Sequence, residues 1–88
     1  MLFMSIFTYD PENRDEVLAK RMEGLNVPEG AKLINQWSSV AGGCAFTLFE
    51  TDNPMVIAGW FSDWNSLGTF EILPVVETEE LMTAMRSK

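Results

Sequence analysis

The chain opens with a segment, Leu2–Tyr9, that is apolar on both faces of the strand it predicts. Its aromatic and β-branched residues are typical of a strand, and the segment is too short for an independent helix. Because successive side chains of a strand point to opposite faces, Leu2, Met4 and Ile6 share one face and three aromatic residues share the other. A strand of this kind belongs to a sheet that is covered on both sides.

The rest of the chain alternates signals for helices and strands. A capping residue before a proline is typical of a helix start, and it occurs at Asp10-Pro11 and before Pro54, where either Asn53 or Asp52 can be the cap. Gly42-Gly43 predicts a tight turn between two strands. In chain order, the predicted elements are a strand over Leu2–Tyr9, a helix from Asp10 towards Gly24, strands over Lys32–Val40 and Cys44–Glu50, a helix from Pro54, a strand over Phe70–Val76 and a short helix from Thr78.

This order predicts a single α+β domain over residues 1–88, with a ferredoxin-like βαββαβ arrangement and a short C-terminal helix. The four-stranded antiparallel sheet should have the order 4-1-3-2, with both long helices on one face. A turn centred on the two glycines pairs Trp37 with Leu48, and we assign these residues, with Phe46, to the helix-covered face. The other face would then expose an aromatic patch that soluble monomers rarely show, so we expect a homodimer packed sheet against sheet.

The amino-acid composition excludes several kinds of catalytic and metal-binding site. The 88 residues include no histidine and one cysteine, Cys44, which excludes imidazole ligands, histidine-activated nucleophiles and an internal disulfide. The acidic residues lack the spacing of a calcium or magnesium loop, and we expect no metal and no other cofactor.

The charge and hydropathy of the chain argue against two classes of binding partner, nucleic acids and membranes. Thirteen acidic and six basic residues give a net charge of −7, and no basic stripe is present to bind nucleic acid or an anionic membrane surface. The apolar runs are too short to span a membrane, and the N-terminus lacks the basic region of a signal peptide. We therefore expect a cytoplasmic protein that binds neither nucleic acid nor membranes.

The second half of the chain carries a more specific pattern, made of the motifs F-x-L-x-E, D-x-P, W-x-x-x-W and F-E-x-x-P-V-V. These motifs correspond to Phe46, Leu48 and Glu50, to Asp52 and Pro54, to Trp60 and Trp64, and to Phe70, Glu71, Pro74, Val75 and Val76. With the isolated Trp37 and the apolar opening MLFM, the pattern resembles the domain-of-unknown-function 3303 family over nearly the whole chain. The resemblance implies membership of the dimeric α+β barrel superfamily, in which two ferredoxin-like subunits pack their sheets into one barrel.

That family has no established reaction, so the resemblance implies no site residues. The wider superfamily includes cofactor-free monooxygenases, lactone isomerases and haem-degrading enzymes. The haem enzymes use a histidine ligand, which this chain lacks.

The sheet face predicted to be bare mixes aromatic rings with small polar side chains, which is typical of a small-molecule pocket and also of a dimer interface. Because this face carries no basic residue, a ligand there should be neutral and mostly apolar, and it should lie between the sheet and the second subunit. The predicted ligand-binding residues are Ser5, Tyr9, Gln36, Ser38, Thr47, Phe49 and Glu71.

Three functions fit these observations. The first is a homodimer that binds a small neutral molecule in its barrel or cleft. The second is a cofactor-free monooxygenase or isomerase acting on small aromatic or lactone substrates, with Glu71 as the candidate base and Tyr9, Gln36 and Thr47 orienting the substrate. The third is a structural assembly domain with a filled barrel. No spaced motif identifies a catalytic residue, so the sequence leaves open whether the protein is an enzyme.

The tryptophans are better explained by packing than by ligand stacking. Trp60 and Trp64 lie four residues apart on an apolar helix stripe, and Trp37 falls on the predicted helix-covered face. Cys44 has no neighbouring base in the sequence that would activate its thiol, and we treat it as a bystander.

Overall fold

A computed structural model describes residues 1–87 as one antiparallel sheet with helices along it. The elements are β1 (Leu2–Thr8), α1 (Arg14–Met22), β2 (Ala31–Ser38), β3 (Cys44–Thr51), α2 (Pro54–Phe61), β4 (Thr69–Val75) and α3 (Thr78–Arg86), with single 3₁₀ turns at Pro11–Asn13 and Ser62–Trp64. The strand order is β2-β3-β1-β4, which is the predicted order read from the other edge. Strand β4 contains Pro74 and lies at an edge, as a residue without a backbone donor requires.

The two predicted helix starts differ in outcome. Asn53 caps α2 as predicted, because its side-chain oxygen accepts a hydrogen bond from the Met55 amide at 3.1 Å and Pro54 follows as the first helical residue. Asp10 makes no side-chain cap, and Pro11 begins a 3₁₀ turn instead, so that α1 starts only at Arg14. Gly24 follows the end of α1 with φ 96°, a left-handed conformation that glycine adopts without strain.

The predicted register of the β2–β3 hairpin is wrong by two residues. The turn spans Val40–Gly43, so it is centred before the two glycines, which both adopt φ 84°. Trp37 therefore pairs with Phe46 rather than with Leu48. An irregularity between Leu33 and Asn35 shifts the register once more and pairs Leu33 with Phe49.

The assignment of the two sheet faces is also wrong. The helices cover the face that carries Phe7 and Phe49, which are 4% and 0% exposed, whereas Trp37 on the other face is 46% exposed. Both faces are apolar, so alternation could not decide between them. The aromatic face packs against the helices because the rings of α2 and the following 3₁₀ turn interlock with it, and aromatic pairs of this kind contribute beyond their buried area.

The core consists of two clusters between the sheet and the helices. Phe7, Tyr9, Val17, Trp64 and Leu67 form the first cluster, and Phe49, Trp60 and Phe61 form the second. The Phe7 and Phe70 ring centroids are 4.5 Å apart, and those of Phe61 and Phe70 are 4.8 Å apart, so Phe70 links the clusters. The predicted packing role of Trp60 and Trp64 is thus confirmed.

The opposite side of the sheet, which we call the bare face, has no buried residue. Its side chains are mostly aliphatic, with Leu73 41% exposed. The apolar members are Leu2, Met4, Ile6, Trp37, Phe46, Leu48, Leu73 and Val75. Helix α3 likewise buries none of its residues, and its Leu81 and Met85 are 46% and 58% exposed. The molecule is elongated, with extents of 49 × 30 × 18 Å.

Candidate functional site

A small cavity lies between the helix-covered face of the sheet and the helices. Its volume is about 20 Å³, enough for one water molecule. We call it the inner cavity. Its lining residues are Ser5, Phe7, Arg21, Leu25, Gln36, Ala45, Thr47, Phe61, Trp64 and Phe70.

A wider space, the outer cleft, adjoins the inner cavity and lies between the end of α1 and strand β2. The two spaces share Arg21, Leu25 and Gln36 as lining residues, so these three side chains stand at the junction. The outer cleft has a volume of about 320 Å³, within the range of small-molecule pockets. Leu18 and Met22 form part of its rim and are 39% and 89% exposed.

The outer cleft exists because α1 turns only part of its apolar residues towards the sheet. Val17 is fully buried and Leu25 is half-buried, but Leu18 and Met22 lie beside the sheet edge rather than on the core. The end of β2 is correspondingly exposed. An edge strand that the helix leaves uncovered thus opens a path into the core.

The floor of the site is a row of polar side chains across three strands. Ser5 pairs directly with Thr47 in the β1–β3 ladder, and Thr47 pairs with Gln36 in the β2–β3 ladder. Ser5 is 2% exposed and Thr47 is 8% exposed, whereas Gln36 is exposed. The row therefore runs from a buried hydroxyl to a solvated amide, all on one face of the sheet.

The walls of the inner cavity are aromatic. The sheet contributes the Phe7 and Phe70 side chains, from β1 and β4. The helical side contributes those of Phe61 and Trp64, from α2 and the 3₁₀ turn after it. The Phe7 and Trp64 rings meet edge to face, with centroids 5.7 Å apart. Rigid rings around a few hydroxyls can bind the flat or aliphatic part of a small molecule and orient one polar group.

One charged residue of the site, Arg21, was not among the predicted residues. It is half-buried and lines both the inner cavity and the outer cleft. The helical period could have identified it, because Arg21 lies four residues after the buried Val17 and four before Leu25. A prediction that considers only the apolar residues Val17 and Leu25 overlooks the basic residue between them.

The structure brings together three of the seven predicted site residues: Ser5, Gln36 and Thr47. Tyr9 and Phe49 are core residues in different clusters. Ser38 pairs with Ala45 at the end of β2 and is exposed, and Glu71 pairs with Ile6 on the bare face and is exposed. The prediction that the pocket residues face a second subunit is wrong, because the three that cluster lie beneath the helices.

Larger grooves occur elsewhere on the surface. One of about 490 Å³ lies between the loop after α1 and α2, and one of about 540 Å³ lies near the start of β4. Neither is lined by Ser5, Gln36 or Thr47. The site over the polar row is therefore the one that combines buried hydroxyls, aromatic walls and an opening to solvent.

Residues 1–87 lack two features that would indicate other functions, a metal-ion cluster and a membrane-spanning helix. Residues 1–87 contain no group of three or more His, Cys, Asp or Glu side chains placed to hold a metal ion. Within the same residues, none of the helices has the length and apolarity needed to cross a membrane.

These features define a small α+β domain with a ligand-sized cleft between an antiparallel sheet and its helices. The chain belongs to the family described as a domain of unknown function (DUF3303), whose model matches residues 1–88, as the sequence motifs predicted. No curated protein matches the chain. A solved structure titled "Structure of Rv0793 from Mycobacterium tuberculosis" is similar, with a TM-score of 0.46 and 12% sequence identity over 86% of this chain and 94% of that chain.

Proposed function

We propose that the protein binds a small, mostly apolar molecule in the outer cleft and the inner cavity. The observation that carries this proposal is the pair of hydroxyls, Ser5 and Thr47, which lie among aromatic rings at the inner cavity beside the outer cleft. Among residues 1–87 no side-chain oxygen is both fully enclosed and without a hydrogen-bond partner, so the two hydroxyls are not sealed into the core as orphaned groups. They offer polar groups to a ligand in otherwise aromatic surroundings.

The volumes suggest how a ligand would be arranged. The outer cleft, at about 320 Å³, would take the body of the molecule, and the inner cavity, at about 20 Å³, would take one small polar group. That group would displace a single water molecule and replace its hydrogen bonds to the hydroxyls. Leu18 and Met22 at the rim would cover the apolar body.

Binding is better supported than the enzymatic alternative. A monooxygenase or isomerase of the predicted kind needs a base near its substrate, and Glu71 was the candidate. Glu71 lies on the bare face, and no carboxylate of residues 1–87 lines the inner cavity or the outer cleft. A third possibility, a purely structural domain, is an outcome of the binding test.

Binding can be tested by thermal shift with a panel of small aromatic and aliphatic compounds. Gln36→Trp should obstruct the cleft from an exposed position without disturbing the core, so it should abolish the stabilisation by each hit. Ser66→Trp, in an exposed turn, is the matched control and should retain it. Equal stabilisation of the wild type and Gln36→Trp would place the binding elsewhere, and an absence of hits would favour the structural reading.

We also propose that two copies pair through their bare faces. The face exposes apolar side chains on all four strands and has no buried residue, which is more apolar surface than soluble monomers usually leave uncovered. Helix α3 exposes further apolar side chains, Leu81 and Met85. A sheet-to-sheet dimer is also what the resemblance to dimeric α+β barrels implies. Sedimentation at micromolar concentration should give twice the 9.9 kDa mass, and a monomer would contradict the proposal.

A further inference from the structure

We infer that the ligand carries one acidic oxygen, such as a carboxylate, and that Arg21 binds it at the junction of the outer cleft and the inner cavity. This inference rests on the proposed binding function and adds the chemical class of the ligand. A guanidinium presents a planar set of donors that matches a carboxylate in a bidentate arrangement.

The position of Arg21 is the first argument. Its side chain lines the inner cavity together with Ser5 and Thr47, and it also lines the outer cleft. A molecule that occupies the cleft and reaches the hydroxyls would therefore lie against Arg21. Gln36, which lines both spaces with Arg21, adds a neutral hydrogen-bonding group.

The lack of an internal partner is the second argument. The salt bridge found within residues 1–87 joins the Met1 amino group to Asp52. Arg21, like the other lysine and arginine side chains of these residues, therefore has no carboxylate within salt-bridge distance, and its guanidinium is available to a ligand. On α1 itself, the residues three and four positions before Arg21 are Leu18 and Val17, which carry no charge.

A half-buried guanidinium among apolar side chains gains most from an anion that shares its desolvated surroundings. Leu25 beside Arg21 is half-buried, so part of the junction is shielded from water, which strengthens a charge-assisted hydrogen bond there. The expectation of a neutral ligand rested on the lack of basic residues on one sheet face, and Arg21 reaches that space from a helix instead. The net charge of −7 opposes approach of anions from a distance, which favours a ligand with a single acidic group.

The test compares acids with their uncharged analogues. Three matched pairs serve as probes: benzoate and benzamide, phenylacetate and phenylacetamide, and octanoate and octanamide. Dissociation constants are measured by NMR titration of ¹⁵N-labelled full-length protein. At least one acid should bind about 10-fold or more tightly than its amide, as expected for one charge-assisted hydrogen bond.

Variants of Arg21 separate this inference from the proposed function. Arg21→Gln should weaken acid binding more than amide binding, so that each acid and its amide bind alike, and Arg21→Lys should restore part of the preference for the acid. Arg14→Gln, an exposed arginine on the same helix, is the control and should change neither. If amides bind as tightly as acids and Arg21→Gln has no effect, the inference is overturned while binding in the cleft stands. If no probe binds, or Gln36→Trp leaves binding intact, the proposed function fails and the inference with it.

Discussion

The two faces of the sheet are both apolar, but they differ in the kind of apolar residue. The helix-covered face carries Phe7, Phe49 and Phe70 and includes the buried hydroxyls of Ser5 and Thr47. The bare face is mainly aliphatic and has no buried residue. Rings leave irregular gaps that polar groups and ligands can enter, whereas aliphatic side chains on a flat sheet suit packing against a similar surface. We therefore connect the first face with ligand binding and the second with self-association.

The largest expected effect comes from placing a carboxylate on each face in turn. Phe7→Asp buries an unpaired charge in the first core cluster, where Phe7 is 4% exposed, and should destabilise the fold by several kcal/mol, enough to unfold it. Ile6→Asp, on the bare face, should leave the subunit folded and separate the copies. Circular dichroism and sedimentation of both variants test this. If Ile6→Asp unfolds the chain or Phe7→Asp merely separates the copies, the faces are wrongly assigned.

A second contrast compares Gly59 and Gly68, which lie before and after the 3₁₀ turn at Ser62–Trp64. A Cβ on Gly68 would overlap the Thr8 carbonyl oxygen and the Phe7 ring, so Gly68→Ala should destabilise by about 1–3 kcal/mol. A Cβ on Gly59, in α2, meets no atom within 4 Å, and Gly59→Ala should stabilise by about 0.5–1 kcal/mol. Urea denaturation measures both free energies. Equal effects of the two substitutions would contradict the close contact of Gly68, just before β4, with Phe7 and Thr8 of β1.

A third contrast compares tryptophans on opposite faces. The indole nitrogen of Trp60 donates to the Leu25 carbonyl at 2.9 Å and anchors the loop beside the outer cleft. Trp60→Phe removes this bond and should cost about 1–2 kcal/mol. Trp37→Phe on the bare face should cost less than about 0.5 kcal/mol in the isolated subunit. Measuring both in an Ile6→Asp background keeps dimerisation from masking the comparison.

The smallest effect concerns the proposed ligand-binding hydroxyl. Thr47→Val keeps the shape of the side chain and removes the hydroxyl, so the free protein should change by less than about 1 kcal/mol, with a gain in stability favoured. Binding of any probe that stabilises the wild type should weaken. Ala45→Ser, on the same strand and face, is the control for adding rather than removing a hydroxyl. A clear loss of stability in free Thr47→Val would mean that the hydroxyl serves the fold instead.

Much of the fold could be predicted because its signals are local. The start of α2 follows from Asn53 and Pro54, and the edge position of β4 follows from Pro74. The strand order follows from the succession of helices and strands along the chain. The hairpin register could not be predicted, because Gly42 and Gly43 signal a turn without fixing its centre. The choice of face could not be predicted either, since it depends on how the rings of α2 fit those of β1 and β3.

The site was predictable in part for the same reason. Ser5, Gln36 and Thr47 share a face by strand alternation, and the structure groups them although the face is covered by helices rather than by a second subunit. Tyr9 and Phe49 share that face, but their side chains pack into the two core clusters and do not line the site. Arg21 comes from another element, and only the three-dimensional packing of α1 brings it to the polar row.

The central claim is that a ligand enters beneath the helices and not between two sheets. The most direct measurement is the map of amide chemical-shift changes in the ¹⁵N-labelled protein when the tightest-binding probe of the six is added. We predict that the changes cluster at Arg21, Leu25, Gln36 and Thr47, with little change at Leu48 and Leu73. Changes centred on Leu48 and Leu73 would place the ligand on the bare face and contradict the account.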